Sequence, residues 1–472
     1  MKKIIITVLM VLLIVLSTLL GEFLLSERNS IEIIKNLDDV GRPENPAPVN
    51  LEELKALDME PFVSNLPLLM IDTNQQQIVK EEMRTVSVAV YDYASGENDI
   101  LSSPTTVLTA GLKLRGASSY NFDKNQYRLK FYRDENLKPL YYGLFGMGAD
   151  SEWVLHGPYL DHTLLRNYLM YTLSRETMEW APDCRFLELF VDGKYQGVYL
   201  AVEPVTAGAN RLGLSEFGLI SGATPYIVAR DRTGTQVHAI EPYAIANGLA
   251  GNEMGIRYPS KTTLTMDQKR WIQQDISQFE EVLYSDDFAD PERGYARYID
   301  VDAFADYVIL NEVSINQDAG NLSTYMYKDM DGKLKVAVWD FNNSFNNYQW
   351  FPRDVKEFYL TNNYWLDRLL MDRAFVDRVV SRYHELRKTI LSNEHMNDVL
   401  FAGKETLGPA IDRNFMRWGY TFQNPMMSVS EGVPDRNPEN YQEAFNRLLQ
   451  TMHQRTAFLD KHIEDLYVNC VN

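Results

Sequence analysis

The chain contains one strong β-hairpin signal, with an acidic residue at each of its two ends. Two strand-like runs, 324–328 and 333–338, flank the dipeptide Asp331-Gly332, which is typical of a tight turn. A hairpin brings Asp318, before the first strand, to the same end of the ribbon as Asp340, after the second. Such a carboxylate pair is suited to bind a metal ion and position a nucleophile; alternatively, the two residues only cap a turn and a helix.

Strand signals dominate the first half of the chain after its N-terminus, and helical signals dominate the second half. Of 472 residues, 45% are hydrophobic and 12% aromatic, which is ample material for a folded core. Period-two alternation recurs between residues 66 and 205, whereas Thr265 to Gln268 reads as a capping box that opens a helix. The sequence therefore predicts an α+β fold.

The N-terminus predicts export. Lys2 and Lys3 precede an uncharged run over residues 4–21, which at ~1.5 Å per residue approaches the ~30 Å thickness of a bilayer core. An uncleaved anchor is favoured over a cleaved signal peptide, because Ser17-Thr18-Leu19 is a poor cleavage site. The expected location is membrane-anchored and extracytoplasmic at the cell surface, or secreted if the segment is cleaved.

Charge and metal-ligand composition exclude several classes of protein. The formal net charge of −19 argues against a nucleic-acid partner, although it suits a basic protein substrate or simply maintains solubility. The two cysteines, Cys184 and Cys470, form no Cys-x-x-Cys motif, so one disulfide and two free thiols both remain open. The seven histidines show no zinc-ligand spacing.

The hairpin with its flanking acids resembles the catalytic core of protein kinases. There, a loop aspartate accepts the proton of the substrate hydroxyl, and a second aspartate, in an Asp-Phe-Gly motif, holds magnesium on the ATP phosphates. Trp339-Asp340-Phe341 stands at the second position, with Asn342 in place of the glycine. No His-Arg pair precedes Asp318.

Further phrases resemble the CotH family of spore-coat-type atypical protein kinases. The similar segments are LRGASS (114–119), YRLKF (127–131), WVL (153–155), DHTLLRN (161–167) and FLELFVDGKYQGVYLAVE (186–203). The resemblance runs from about Leu66 to about Asn347 and more loosely through the predicted C-terminal helices. The resemblance implies a bilobal protein-kinase-like fold, with a strand-rich N-lobe and a mainly helical C-lobe that carries the catalytic β-hairpin.

On this resemblance the chain divides into five parts. They are a signal anchor (1–25), an extended tether (26–65), a nucleotide-binding N-lobe (66–205), an irregular connecting insertion (206–262) and a C-lobe with the catalytic loop (263–472).

The resemblance also implies a phosphate-binding surface in the N-lobe. Alternation places Arg128 and Lys130 on one face of a strand, and Lys130 is the first candidate to contact ATP phosphates. The loop at Arg115 and Gly116, with Ser118 and Ser119, would cover the phosphates through backbone N–H groups. Without the family context, a solvated strand face is the favoured explanation of Arg128 and Lys130.

Two glutamates and two asparagines complete the candidate site. Glu188 either pairs with Lys130 or faces water, and Glu203 ends a strand where adenine would meet the link between the lobes. Asp340 is the expected ligand of Mg²⁺ or Mn²⁺, with Asn321 and Asn342 as further ligands. Because an amide binds a cation less strongly than a carboxylate does, weak or absent activity is compatible with this set.

The leading hypothesis is an exported kinase that transfers the ATP γ-phosphoryl group to Ser or Thr of surface or coat proteins, with Asp318 as the base. It would act as a monomer, reaching the membrane through its N-terminal segment. One alternative is a weakly active or inactive surface protein used for structure or adhesion. Another is a metal-dependent enzyme that acts on a phosphate or glycan polymer.

Overall fold

The computed structural model describes residues 48–117, 119–133, 137–215, 222–232, 234, 238–347, 352–423 and 436–471. The predicted anchor, residues 1–25, lies outside these ranges. Within them, no helix is both long enough and apolar enough to cross a membrane.

Strands dominate the first half of the described chain, as the alternating pattern predicts. They are β1 (Val63–Ser64), β2 (Leu68–Asp72), β3 (Arg84–Tyr91), β4 (Asn98–Asp99), β5 (Thr106–Arg115), β6 (Gln126–Tyr132), β7 (Glu152–His156), β8 (Cys184–Val191) and β9 (Lys194–Val202). Seven of them form a closed barrel in the order β2-β3-β5-β6-β7-β9-β8, while β1 pairs with β4. In β6, Tyr127, Leu129 and Phe131 enter the barrel core, so Arg128 and Lys130 face outward as expected.

The closed barrel overturns the expectation of a bilobal kinase-like fold, although the α+β class is correct. Closure depends on β2, which runs antiparallel to β3 on one side and parallel to β8 on the other. The parallel contact pairs Leu68 with Glu188 and Ile71 with Val191. Local alternation predicts that these strands exist, but it does not show that residues so distant in sequence pair and close the sheet.

A second sheet has five strands and carries the predicted hairpin. Its strands are β10 (Tyr226–Asp231), β11 (Ala239–Ile240), β12 (Glu253–Tyr258), β13 (Thr324–Lys328) and β14 (Lys335–Ala337), in the order β11-β12-β10-β13-β14. The antiparallel pairing of β13 with β14 confirms the hairpin. The expectation that residues 206–262 form an irregular insertion is wrong, because that segment supplies three of these strands. Its glycine-rich connections concealed short, mostly buried apolar runs.

Helices pack against strand β14 of this second sheet and against strands β8 and β9 of the barrel. They are α1 (Leu51–Ala56), α2 (Arg166–Thr177), α3 (Tyr243–Ala246), α4 (Met266–Leu283), α5 (Val301–Ser314), α6 (Leu366–Leu369), α7 (Arg373–Arg387), α8 (Asn393–Leu407), α9 (Ala410–Trp418) and α10 (Tyr441–His462). The predicted capping box opens α4, where Thr265 and Gln268 bond each other's backbone N–H groups. Phe186 and Leu200 on the barrel share one continuous core with helices α2, α5, α7 and α10.

Candidate functional site

The hairpin brings the two predicted acids to one place. Helix α5 ends at Ser314, and the next residue, Ile315, has a φ of 56° that turns the chain into the loop of residues 316–323, here called the Asp318 loop. After β14 the chain returns through residues 339–347, the Asp340 segment. Asn343 in this segment donates a hydrogen bond to Asp318 Oδ2 at 3.4 Å. The segment after the second strand therefore touches the loop before the first.

Burial makes both carboxyl groups reluctant to ionise. It raises the pKa of Asp340 to about 6; Arg115 opposes this shift, while Asp318 and Asp231 reinforce it. Burial also raises the pKa of Asp318, against the lowering effect of its hydrogen bond from Asn343. Two neighbouring acids that repel one another in this way favour the arrival of a cation.

Asp231 is a third acid at this site, and it was not predicted from the sequence. It ends β10, which pairs with β13, and its charge raises the pKa of both Asp318 and Asp340. The available signal was the apolar run Tyr226 to Ala229 followed by a charged end. That run lies within the segment that was expected to be irregular.

Arg115 connects the barrel to the Asp340 segment. Its guanidinium lies 5.6 Å from the ring centroid of Trp339, and its charge favours ionised Asp340. Its Nη1 donates to Gln126 Oε1 at 3.0 Å. Arg115 was predicted to contact phosphate, and the structure brings it beside the acid pair.

A buried chain of hydrogen bonds, here called the relay, runs from Gln126 to the backbone after Asp340. Gln126 Oε1 lies 3.2 Å from Nδ1 of His156, and Asn167 Nδ2 lies 3.0 Å from Nε2 of the same ring. Asn167 Oδ1 then accepts the Phe341 N–H at 2.8 Å. Burial lowers the pKa of His156 to about 3, so the neutral ring donates from Nδ1 and accepts at Nε2. The relay fixes the orientation of the Asp340 segment.

The DHTLLRN phrase holds the same segment at a second point. Arg166 is buried, pairs with Asp161 at 2.5 Å and donates from Nε to the Ser344 carbonyl oxygen at 2.9 Å. Asp161 also accepts the Arg166 backbone N–H at 2.9 Å. These residues support the candidate site rather than line it.

Lys130 and Arg128 share one acidic partner. Glu152 on the neighbouring strand β7 pairs with Arg128 and, at 3.1 Å, with Lys130. The two cations lower the pKa of Glu152 to about 2 against the opposing effect of burial. This carboxylate stands where Glu188 was considered as the partner of Lys130.

Glu188 neither pairs with Lys130 nor faces water, so both sequence interpretations are wrong. It is fully buried on the outer side of the barrel, where Arg413 donates to its Oε2 at 2.6 Å. Tyr195 donates to its Oε1 at 2.5 Å, and Ser64 also donates to the carboxylate. A partner so far along the chain leaves no local signal.

Glu203 is buried and pairs with Arg211 at 2.8 Å. It also accepts the Asp183 N–H at 3.1 Å. Its side chain is thereby engaged in fixing the end of β9. The residues that follow it, Pro204 to Ala207, line a cleft.

The loop after Arg115 requires glycine at position 116. Gly116 has a φ of +109°, and a Cβ there would lie 2.1 Å from Ser119 Oγ. Ser119 begins a short 3₁₀ turn, whereas Ser118 lies outside the described residues. The phosphate-binding role assigned to this loop stays a prediction.

A cleft of about 430 Å³ lies between the barrel and the five-stranded sheet. Arg115 and Arg128 line it from the barrel, and Trp339 lines it at the start of the Asp340 segment. Arg257 and Tyr258 on β12 also face it, and neither was predicted. A cleft with arginines beside two acids suits an anionic ligand that carries a cation.

The predicted metal ligands differ in their availability. Asn321 Oδ1 accepts the Tyr364 N–H at 3.4 Å, whereas Ser323 donates to Asp340. The Asn342 Oδ1 atom is buried and has no hydrogen-bond partner among the described residues. Across those residues, no group of three or more His, Cys, Asp or Glu side chains is arranged to hold a metal. Carboxylate and amide oxygens are nevertheless ligand types that Mg²⁺ accepts, and Mg²⁺ commonly keeps water and phosphate ligands as well.

Comparison with known proteins agrees with the sequence motifs. The model of a family described as CotH kinase protein matches residues 112–459, a range that contains Arg115, Asp318 and Asp340. No curated protein matches the chain.

Proposed function

Because the chain belongs to the CotH kinase family, we propose that it transfers the γ-phosphoryl group of ATP to Ser or Thr hydroxyl groups of protein acceptors. The observation that carries the proposal is the meeting of Asp318 and Asp340 at the base of the β13–β14 hairpin, beside a cleft lined by Arg115 and Arg128. Phosphoryl transfer depends mainly on positioning and charge stabilisation, and these residues supply both.

Asp318 is the proposed base. Its raised pKa brings the carboxylate closer to the pKa that suits a general base at neutral pH. It takes the proton of the acceptor hydroxyl as that oxygen bonds to the γ-phosphorus. The bond from the γ-phosphorus to the bridging oxygen breaks, and ADP leaves with that oxygen. The hydrogen bond from Asn343 keeps the carboxylate oriented.

Asp340 is the proposed ligand of Mg²⁺ or Mn²⁺, together with Asn342 Oδ1. The cation, when bound, offsets charge on the phosphate oxygens. Asp340 is oriented by its hydrogen bond from Ser323, and the Asn167 bond to Phe341 N–H fixes the backbone next to it. Asn342 supplies an amide oxygen where a second carboxylate would bind more strongly, so we expect modest metal affinity.

Arg115 and Arg128 are the proposed phosphate contacts in the cleft. Lys130 and Arg128 are both paired with Glu152, so a nucleotide would compete with that carboxylate for their charge. We further propose that the acceptors are surface or coat proteins reached outside the cytoplasmic membrane. The uncharged run over residues 4–21 motivates this location.

Calorimetric titration of the full chain with a non-hydrolysable ATP analogue tests the nucleotide role. We expect binding that requires Mg²⁺ in the wild type, is lost in Asp340→Asn and is retained in Asp331→Asn, which changes an exposed aspartate at the hairpin turn. Binding that is absent under all conditions would contradict the kinase proposal and favour a structural or adhesive role. Turnover of ATP or a polymer without a protein acceptor would favour a hydrolase.

A further inference from the structure

Glu280 on α4 is a fully buried carboxylate outside the acid pair and the cleft. Three groups donate hydrogen bonds to it. Ala244 N–H lies 2.7 Å from Oε2, Trp365 Nε1 lies 3.0 Å from Oε1, and the Tyr364 hydroxyl also donates to Oε1. A buried carboxylate with three donors fixes the groups around it, because each would otherwise be left unpaired.

Two of those donors, Tyr364 and Trp365, belong to segment 363–365, which supports the Asp318 loop. Its first residue, Asn363, donates from Nδ2 to the carbonyl oxygens of Gln317 at 3.2 Å and Ala319 at 2.6 Å. The Tyr364 N–H bonds Asn321 Oδ1 at 3.4 Å. The segment 363–365 therefore holds the loop on both sides of Asp318.

The surroundings of Glu280 set its ionisation. Burial raises the pKa of Glu280 to about 7, while the hydrogen bonds from Ala244 and Trp365 and the charge of Arg230 oppose that shift. Arg230 on β10 is buried and lies 3.3 Å above the Tyr364 ring centroid. Asp367 on α6 and Tyr284 at the end of α4 also face Arg230. The ionised carboxylate accepts all three as charge-assisted hydrogen bonds. Protonation removes the charge that strengthens them and places an O–H group against one of the three donors.

We propose that Glu280 is a positioning residue for Asp318: by accepting hydrogen bonds from Tyr364 and Trp365 it holds segment 363–365, and with it the Asp318 loop, in place. The inference rests on the proposed function. It adds a residue outside the nucleotide cleft that controls the position of Asp318, the proposed base. Loop order and phosphoryl transfer both increase as Glu280 ionises.

Hydrogen–deuterium exchange tests the positioning without requiring catalysis. The N–H groups of Ala319, Asn321 and Leu322 bond carbonyl oxygens within the Asp318 loop. At pH 8 we expect Glu280→Gln to accelerate their exchange about tenfold, since its neutral amide oxygen binds the Tyr364 and Trp365 donors more weakly than a carboxylate does and its NH₂ group opposes the Ala244 N–H. The matched control is Glu281→Gln, which changes an exposed residue on the same helix. Wild-type exchange rates in Glu280→Gln would overturn the proposal.

A kinetic pH profile tests the consequence for the reaction. We expect kcat of the wild type to include a rise near pH 7 that Glu280→Gln lacks, with kcat lowered about tenfold at pH 8 and KM for ATP unchanged. If Glu280→Gln does not fold, Trp365→Phe removes one donor and should give the same exchange change. Altered exchange in a chain without phosphotransfer would refute the kinase proposal but not the positioning role. An unchanged pH profile would refute the control of the base.

Discussion

Asp340 should limit the stability of the metal-free protein. Its pKa rises from the usual 3.8 to about 6, and its φ of 63° is a left-handed conformation that Asn also tolerates. Asp340→Asn therefore preserves shape and backbone while removing the titration. Because the folded state keeps the Asp340 proton longer, the stability gained from burying the neutral carboxyl is complete below pH 3.8 and is lost as pH rises through 6.

The change in the free energy of unfolding follows from the pKa shift of Asp340. At about 1.4 kcal/mol per pKa unit, a shift from 3.8 to about 6 corresponds to about 3 kcal/mol. Because Asp340 keeps some exposure to solvent, screening reduces the expected free-energy difference to about 2 kcal/mol. Asp340→Asn should match the wild type at pH 4 and exceed its stability by this amount at pH 8.

Urea denaturation without divalent cations, at pH 4 and pH 8, measures the difference. The variant should be more stable at pH 8 and should lose phosphotransfer, because its amide cannot replace the carboxylate. Mg²⁺ with nucleotide should narrow the gap by stabilising only the wild type. A stability difference that does not change with pH, or a variant less stable at pH 8, would show that folding does not raise the pKa of Asp340.

Three further substitutions test other parts of the site. Glu188→Gln should lower the free energy of unfolding in urea by about 3 kcal/mol, because Arg413 loses a buried charged partner. It should leave ATP affinity unchanged, and weaker ATP binding by the folded variant would show that Glu188 contributes to the nucleotide site. Arg166→Lys should lower both the melting temperature and kcat, since Lys cannot bond both Asp161 and the Ser344 carbonyl. An unchanged kcat would contradict the role of Arg166 in supporting the Asp340 segment. Asn342→Asp should tighten Mn²⁺ binding about tenfold by calorimetry, and an unchanged affinity would exclude position 342 from the metal site.

Local sequence signals were sufficient wherever neighbouring residues determine the structure. The Asp331-Gly332 turn and its flanking strands predicted the hairpin, and the hairpin predicted that Asp318 and Asp340 meet. The alternation in β6 assigned Arg128 and Lys130 to the outer face of the barrel. In each case the pattern repeats within a few residues, so the physical cause is local.

Features that depend on distant pairing could not be predicted in this way. Parallel pairing of β2 with β8 closes the barrel, and Arg413 reaches Glu188 from a helix near the other end of the chain. Asp231 joins the acid pair only because β10 pairs with β13. No short-range periodicity encodes such contacts, since they depend on which strand edges and side chains meet in the folded molecule.

Measuring phosphoryl transfer tests most directly the proposal that Asp318 and Asp340 carry kinase activity. The full chain would be incubated with γ-labelled ATP, Mg²⁺ or Mn²⁺ and a Ser/Thr-containing protein, alongside Asp318→Asn, Asp340→Asn and the hairpin-turn control Asp331→Asn. We predict label on Ser or Thr with the wild type and the control, and none with the other two variants. Equal labelling by all four proteins, or none by the wild type, would contradict the assignment of Asp318 and Asp340 to phosphoryl transfer.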